Sequence, residues 1–488
     1  MVRGVGWMMT AQVTVQILAL VTSVVVARFL GPREVGLAAE AMVFGSLALL
    51  IVDFGLGSAI IQRPELSEDD RSTAFWAGAA LGVATTLLGV GLSWPIAAVY
   101  GEPRVQPLFA VLSLSFLLAA LGIVQGALLT RELRFRSLEL RKIAATTVSA
   151  AAGITLALLG FGAWAIVVQT LVIAGVSTAL LWRSSDWRPR ARFSMTSLRS
   201  MARYASHVFG TAGLTWGTGN IDNFLIGRFV GTASLGAYAI AYSLIVTPVR
   251  RIAYPLIQVF FPAFSKMRDP DRIARGWVRG TKVLALVVVP SMLGLIAVAP
   301  DFVRVAFGHK WDEAVPVIQI LAPVGLLQSL TALNAAILQA VDRTRTLLRF
   351  TLLLSIVTVA AFAAGLPWGI NGVATAYLIV TVVMQPVFLW LTVRAVDLTM
   401  SDWLRSLTGV MQASVAMLLI VLGARELLLE TALGVTPRLA AVIAIGAAVY
   451  VPLVAWRAPE IGPELRGALG RLRRAPAMPA PEGTEAPV

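Results

Sequence analysis

Arg250 and Arg251 stand side by side near the middle of residues 235–261, an otherwise largely apolar run long enough to cross a bilayer. A guanidinium in hydrocarbon costs at least about 2.5 kcal/mol, so two adjacent ones are not expected to face lipid. Successive helical positions point about 100° apart, so at least one of the pair should reach an internal watery cavity. Arginine presents a planar, permanently charged fork that matches phosphate oxygens, which makes an anion site one reading of the pair. An interhelical structural pair with Asp53 or Asp222 is the other. Ser243, Thr247, Tyr254 and Gln258 step through the same run by three or four residues and share much of one face with the arginines. Pro248, Pro255 and Pro262 recur every seven residues and predict a bent helix, either a gate or a static kink.

Two further runs carry polar stripes. His207, Thr211, Thr215, Thr218 and Asp222 follow one another by three or four residues within 204–226, and Gln12, Gln16 and Ser23 form a comparable face within 5–27. Such faces are too polar for lipid and should line an interface between helices. Asp222 could carry a coupling cation or proton, or neutralise Arg228 nearby. Asp53, in Val52-Asp53-Phe54-Gly55-Leu56-Gly57, admits three roles, as a gate, a proton site or a structural pair; the glycines permit a close helix approach or a local break. The substrate-binding candidates are therefore Arg250, Arg251, Tyr254, Gln258, Gln12, Gln16 and Thr215. The coupling or gating candidates are Asp53, Asp222, Arg28 and Arg228.

Arg28 and Arg228 belong to a repeat. Arg28, Phe29, Gly31 and Gly36 recur as Arg228, Phe229, Gly231 and Gly236, each pair offset by 200 residues. Both copies join one apolar segment to the next. Fourteen such segments are expected, near 5–27, 37–61, 74–99, 105–130, 142–159, 162–182, 204–226, 235–261, 281–303, 313–340, 347–366, 369–394, 406–424 and 437–456. Phe161-Gly162-Ala163-Trp164 opens the sixth, and Trp368-Gly369-Ile370-Asn371-Gly372 opens the twelfth, again at corresponding places. The fold class is all-α: a polytopic membrane protein of about fourteen transmembrane helices, with two parallel six-helix repeats and two C-terminal helices. Residues 1–182 form the first lobe, 183–203 a basic interlobe loop, 204–394 the second lobe, 395–456 helices thirteen and fourteen, and 457–488 a polar, disordered cytoplasmic tail.

Composition supports lipid as the solvent. The 488 residues are 58% hydrophobic and 14% charged, with mean hydropathy +0.81. A soluble domain has about 45–50% apolar residues and about 25% charged ones. The first run carries the repeat motif and lacks a cleavage site, so it is read as a permanent helix and not a signal peptide. Loops 131–142, 183–203, 266–282 and 342–349 are basic and fall on one side if fourteen helices alternate; they should face the cytoplasm, together with both termini. Loop 62–73 falls on that side too but carries net charge −2, from Arg63 and Arg71 against Glu65, Glu68, Asp69 and Asp70. The net charge of +14 is assigned to anionic lipid and topology, not to nucleic acid. With no cysteine and two histidines, thiol chemistry, iron–sulfur clusters and a multi-histidine metal site are excluded. No Walker A sequence and no catalytic signature appear, so neither an enzyme nor a cofactor is expected.

Val26-Ala27-Arg28-Phe29-Leu30-Gly31-Pro32, the segment from Asp53-Phe54-Gly55-Leu56-Gly57 through Arg63, Asp222-Asn223-Phe224-Leu225-Ile226-Gly227-Arg228, and Pro262-Ala263-Phe264-Ser265-Lys266 resemble the polysaccharide transporters of the multidrug/oligosaccharidyl-lipid/polysaccharide exporter superfamily. The similarity spans about residues 1–400 and looks closest to exopolysaccharide and O-antigen flippases of the colanic-acid-exporter type. It implies two six-helix lobes around a cationic cavity, working by alternating access in the bacterial inner membrane. The implied substrate is a polyprenyl-diphosphate-linked oligosaccharide, with membrane lipids and polymerase or glycosyltransferase machinery as partners. Two alternatives stand beside it: a multidrug or lipid II exporter of the same superfamily, and a non-transporting scaffold of a polysaccharide-assembly complex.

Overall fold

The computed structural model describes the backbone of residues 2–53, 55–267, 269–431 and 433–457. It describes their side chains except at 2–10, 13, 203–212, 214–215, 218, 247–248, 250–256, 258–263, 265–266 and 270. Every regular element among the described residues is helical. The first part of the chain forms α1 (Val2–Leu30), α2 (Pro32–Asp53), α3 (Leu56–Gln62), α4 (Glu68–Tyr100), α5 (Val105–Leu112), α6 (Leu114–Ala120), α7 (Ile123–Arg131), α8 (Phe135–Leu158) and α9 (Trp164–Ser184). The second forms α10 (Met195–Phe229), α11 (Thr232–Lys266), α12 (Pro270–Ala306), α13 (Ala314–Thr331), α14 (Asn334–Ala340), α15 (Thr344–Gly365), α16 (Gly369–Ala395), α17 (Met400–Leu429) and α18 (Val435–Arg457).

Each of the fourteen apolar segments lies on one helix or on consecutive helical pieces. Residues 37–61 comprise α2 and α3, parted at Gly55, whose φ of 69° is left-handed. Residues 105–130 divide into α5, α6 and α7, and 313–340 into α13 and α14. Gly160 (φ 80°) and Gly162 (φ 57°) make the tight reversal between α8 and α9. Helix starts follow local capping chemistry. Ser67 and Asp70 form a capping box on α4, Ser194 caps α10, Asp269 precedes Pro270 at the start of α12, and Thr399 caps α17. Nine stretches among the described residues are long and apolar enough to cross a membrane; one of them, Thr344–Ala395, holds both α15 and α16. Large apolar side chains point outward along these helices, Leu87 at 67%, Ile356 at 68% and Leu419 at 64% exposure, as a lipid-facing surface requires.

In the first part, α1 packs along α8, α8 along α9, α9 on α6, and α4 on α5 and α6. In the second, α12 packs on α13, α13 on α16, and α16 on α15. The two parts meet chiefly through α2 against α10 and α11, and α4 against α10. Helices α17 and α18 pack on each other and on α12. They are tied there by Asp301 of α12, which accepts from Arg425 Nε at 3.2 Å and from Arg438 Nη2 at 2.5 Å.

The acidic loop 62–73 finds its counter-charge in the basic segment 183–203. Arg190 lies 3.9 Å from Glu68, Arg192 lies 3.5 Å from Asp69, and Arg63 pairs with Asp70. Trp187 Nε1 donates to Glu68 at 2.8 Å, Trp76 Nε1 donates to the Arg190 carbonyl at 2.8 Å, and Ser194 N–H donates to Thr73 Oγ1 at 2.9 Å. The basic strand of chain is thus strapped along the start of α4. The acids also occupy the first turn of that helix, where the backbone dipole favours negative charge. Loops 62–73 and 183–203 therefore share one end of the bundle, here called the linker end. The opposite end carries Gly31 and Gly231.

Candidate functional site: an interlobe seam and a linker-end cavity

At Gly31 (φ 87°) and Gly231 (φ 121°) the chain turns sharply out of α1 and α10 and begins α2 and α11. The second glycine of each motif copy lies one turn into the new helix, and there the two copies press on each other. A β-carbon on Gly36 would come within 2.7 Å of the Thr232 carbonyl carbon, and one on Gly236 within 2.8 Å of the Pro32 carbonyl carbon. The contact is reciprocal, because residues 32 and 36 correspond to 232 and 236. Only glycine at both positions lets backbone meet backbone this closely.

Arg28 joins this seam from the side. Its guanidinium donates to the Val305 carbonyl, and to the Ala306 carbonyl at 3.4 Å, so the end of α1 satisfies orphan acceptors at the C-terminus of α12. Trp311 Nε1 returns a hydrogen bond to the Ala27 carbonyl at 3.1 Å. Arg228 does something different from its counterpart: its guanidinium lies over the Phe229 ring at 5.3 Å. Asp222 is buried in α10. It accepts the Tyr238 hydroxyl at 3.0 Å and the Asn223 N–H at 2.8 Å.

At the linker end, α3, α6, α7, α8 and α9 line an open cavity of about 500 Å³. Asp53, the last residue of α2, is exposed into it and sits above Gly57, and Ser58, Thr130, Arg141, Ser177 and Thr178 supply the other polar lining. Gly57, Gly122 and Gly126 keep the walls thin. The Gly55 break ends α2 just past Asp53, which leaves that carboxylate at a helix terminus facing open space. Arg141 shares the cavity with Asp53 without pairing to it among the described contacts. Its Nε is buried without a partner, while the adjacent Lys142 takes Glu139 at 2.6 Å. A half-buried guanidinium with spare donors, in a largely apolar cleft that also holds four hydroxyl side chains, is suited to an oxygen-rich anion.

By hydropathy Arg141 falls among the loop charges, because the apolar run begins at 142. The helix begins at Phe135, so Arg141 lies nearly two turns inside it. The signal was present as a stripe: Ala145, Ser149 and Gly153 follow Arg141 at four-residue steps, and all three are buried. Of the other candidates, Gln12 and Gln16 are half-buried on α1, with Gln16 Oε1 buried and unpartnered. The side chains of Arg250, Arg251, Tyr254, Gln258 and Thr215 lie outside the described residues, as does that of His207; α11 and α10 run through these positions as helix.

Comparison with known proteins assigns the fold. The family model "Polysaccharide biosynthesis protein" matches residues 25–316, more than half of the chain. The chain belongs to this family. It is similar to the teichuronic acid biosynthesis protein TuaB of Bacillus subtilis, with 29% identity over 85% of this chain and 86% of that protein. It is also similar to the lipopolysaccharide biosynthesis protein WzxC of Escherichia coli, with 28% identity over 78% of each. Among solved structures, the lipid II flippase MurJ in an inward closed conformation superposes with TM-score 0.77 at 16% identity, over 93% of this chain and 99% of that one. An inward-facing multidrug resistance transporter of the MATE family gives 0.62 at 16% identity, over 78% and 94%. The family member described here is thus an all-α polytopic bacterial membrane protein with the transporter fold of this exporter superfamily.

Proposed function

We propose that this family member flips a polyprenyl-diphosphate-linked oligosaccharide from one leaflet to the other for cell-surface polysaccharide assembly. Fourteen transmembrane helices form two parallel six-helix lobes, 1–182 and 204–394, followed by two accessory helices. The linker end faces the cytoplasm and the seam end faces outward, in keeping with the basic loops gathered at the former. The lobes alternate between outward and inward opening around a central cavity.

The observation that carries this reading is the linker-end cavity. Arg141, with an unused donor, lines a cleft that also holds Ser58, Thr130, Ser177 and Thr178, groups that could meet a diphosphate. Arg250 and Arg251, whose side chains lie outside the described residues, are the further candidates for the diphosphate from their place in the sequence; the serine and threonine hydroxyls meet the sugar, and the polyprenyl chain stays in lipid. The curated relatives at 28–29% identity bear names from polysaccharide biosynthesis, which supports a glycan cargo over a drug. Asp53, at the cavity mouth, repels the diphosphate until the carboxylate is protonated or turned away, and so gates entry. Reconstitution with a polyprenyl-diphosphate oligosaccharide tests the site. Arg141→Gln should slow leaflet exchange about tenfold, the loss of one charge-assisted hydrogen bond. An unchanged rate at equal protein density removes Arg141 from the path. Lipid II, flipped in the same assay at a comparable or higher rate, would favour the lipid II reading.

A further inference from the structure

The seam contains a carboxylate without a counter-ion in contact. Glu40 lies one turn beyond Gly36 on α2 and is 0% exposed, and neither carboxylate oxygen has a partner in good hydrogen-bonding geometry, the Thr232 hydroxyl being the donor at hand. Its surroundings come from both lobes. Tyr100 of α4 is buried beside it with its hydroxyl also unpartnered. Gly227 of α10 abuts both: a β-carbon there would stand 2.8 Å from Tyr100 Cε1 and 3.3 Å from Glu40 Cγ. Asn223, one turn earlier on α10, holds a buried Oδ1 without a donor. The Thr232 side chain faces Glu40 from α11. The charged groups nearby are already engaged. Arg33 and Glu102 pair at 2.9 Å, Arg104 takes Glu34 at 2.8 Å, and Asp222 on α10 is held by Tyr238 of α11.

An ionised carboxylate shut away from water with no counter-ion in contact, and with one hydroxyl as its nearest donor, costs several kcal/mol. The protonated acid carries no such charge and can donate its one O–H to a neighbouring oxygen such as those of Tyr100 or Asn223. The closed seam therefore accommodates the neutral acid and excludes the anion. Drawing α10 and α11 away from α2 and α4 would remove Gly227 and Thr232 from Glu40 and admit water, where a carboxylate ionises readily. We propose that Glu40 is a proton-binding site of the seam: protonated while the seam is closed, ionised when it opens. Proton affinity that is higher in the closed state stabilises that state at low pH, and its population falls as pH rises. The repeat-related position, Ile240, has no such group, so the switch belongs to one lobe alone.

This inference rests on the alternating-access part of the proposal above and on nothing about the cargo, so it is tested without substrate. The chain has no cysteine, so spin labels can be placed at Phe161→Cys and Trp368→Cys, exposed positions on the two sides of the seam end. Interlabel distances are then measured in lipid nanodiscs from about pH 5 to about pH 9. The open-to-closed ratio should rise with pH by up to about tenfold per pH unit, the limit for one linked proton. In Glu40→Gln the closed distance should persist across the range. In Glu40→Asp the response should survive with a shifted midpoint, which keeps the test decisive if the Gln variant fails to fold. A parent distribution that ignores pH overturns the proposal, as does a full response in Glu40→Gln or an unmoved midpoint in Glu40→Asp. Labels that separate on adding a diphosphate-linked glycan but not on raising pH would leave alternating access standing and remove Glu40 from it.

Discussion

A methyl group is the smallest change the Gly36–Gly236 crossing can be asked to absorb, and neither side has room for it. Each β-carbon would strike a backbone carbonyl, which cannot rotate away as a side chain can. Gly36→Ala and Gly236→Ala should therefore each destabilise the detergent-solubilised protein by about 1–3 kcal/mol or more, read as a lower melting temperature. The reciprocal geometry predicts similar losses at the two sites. Gly423→Ala, with open space around the added carbon, is the matched control and should melt like the parent. Arg28 differs from Arg228 in the same way that the seam differs from its surroundings. Arg28→Gln removes the bond from α1 to the end of α12, whereas Arg228→Gln removes only a ring contact. The first should loosen the seam-end distance distribution; the second should leave it unchanged.

At the scale of elements, α17 and α18 are held to α12 by one acid. Asp301 is 1% exposed and serves two arginines, of which Arg438 is 8% exposed. Asp301→Asn leaves both guanidiniums without their carboxylate and should cost about 3–5 kcal/mol, the usual consequence of removing one partner from a buried pair. Limited proteolysis should then cut between α16 and α17 much faster than in the parent. Adding Arg438→Gln to Asp301→Asn should recover part of the loss, because it removes one of the stranded charges; no recovery would mean that the triad does not act as a unit. The interlobe strap is a weaker device. Its ion pairs are largely exposed and each contributes about 0–1 kcal/mol, so the indole bonds of Trp76 and Trp187 matter more. Trp187→Ala should speed tryptic cleavage after Arg190 and Arg192 with little change in melting temperature.

At the scale of the molecule, the all-helical membrane fold was legible because a helix solvated by lipid needs a long stretch of hydrophobic residues, and that signal is local; nine stretches among the described residues are long and apolar enough to cross. The recurring motif was legible for the same reason: RFxGxxxxG is a short pattern read from one stretch of chain at a time. What no local pattern carries is which stretches touch. The two motif copies could be matched, but not seen to press on each other. The acids of loop 62–73 looked out of place until Arg190 and Arg192 from 120 residues away were found beside them. Arg141 was hidden by a helix that starts a full two turns before its apolar run, and Glu40 by its place near the end of one. Buried polar groups of this kind are invisible to hydropathy, since a single glutamate hardly lowers a segment average.

The central claim, a diphosphate-linked glycan carried through a cationic path, is tested most directly by leaflet exchange in proteoliposomes. One glycan is presented on two lipids, a polyprenyl diphosphate and an uncharged polyprenol ether. The account predicts protein-dependent flipping of the diphosphate lipid, slowed about tenfold by Arg141→Gln and likewise weakened by Arg251→Gln, with little flipping of the uncharged lipid. Equal flipping of the two lipids, or none of the diphosphate lipid by protein whose fold is intact, would contradict it.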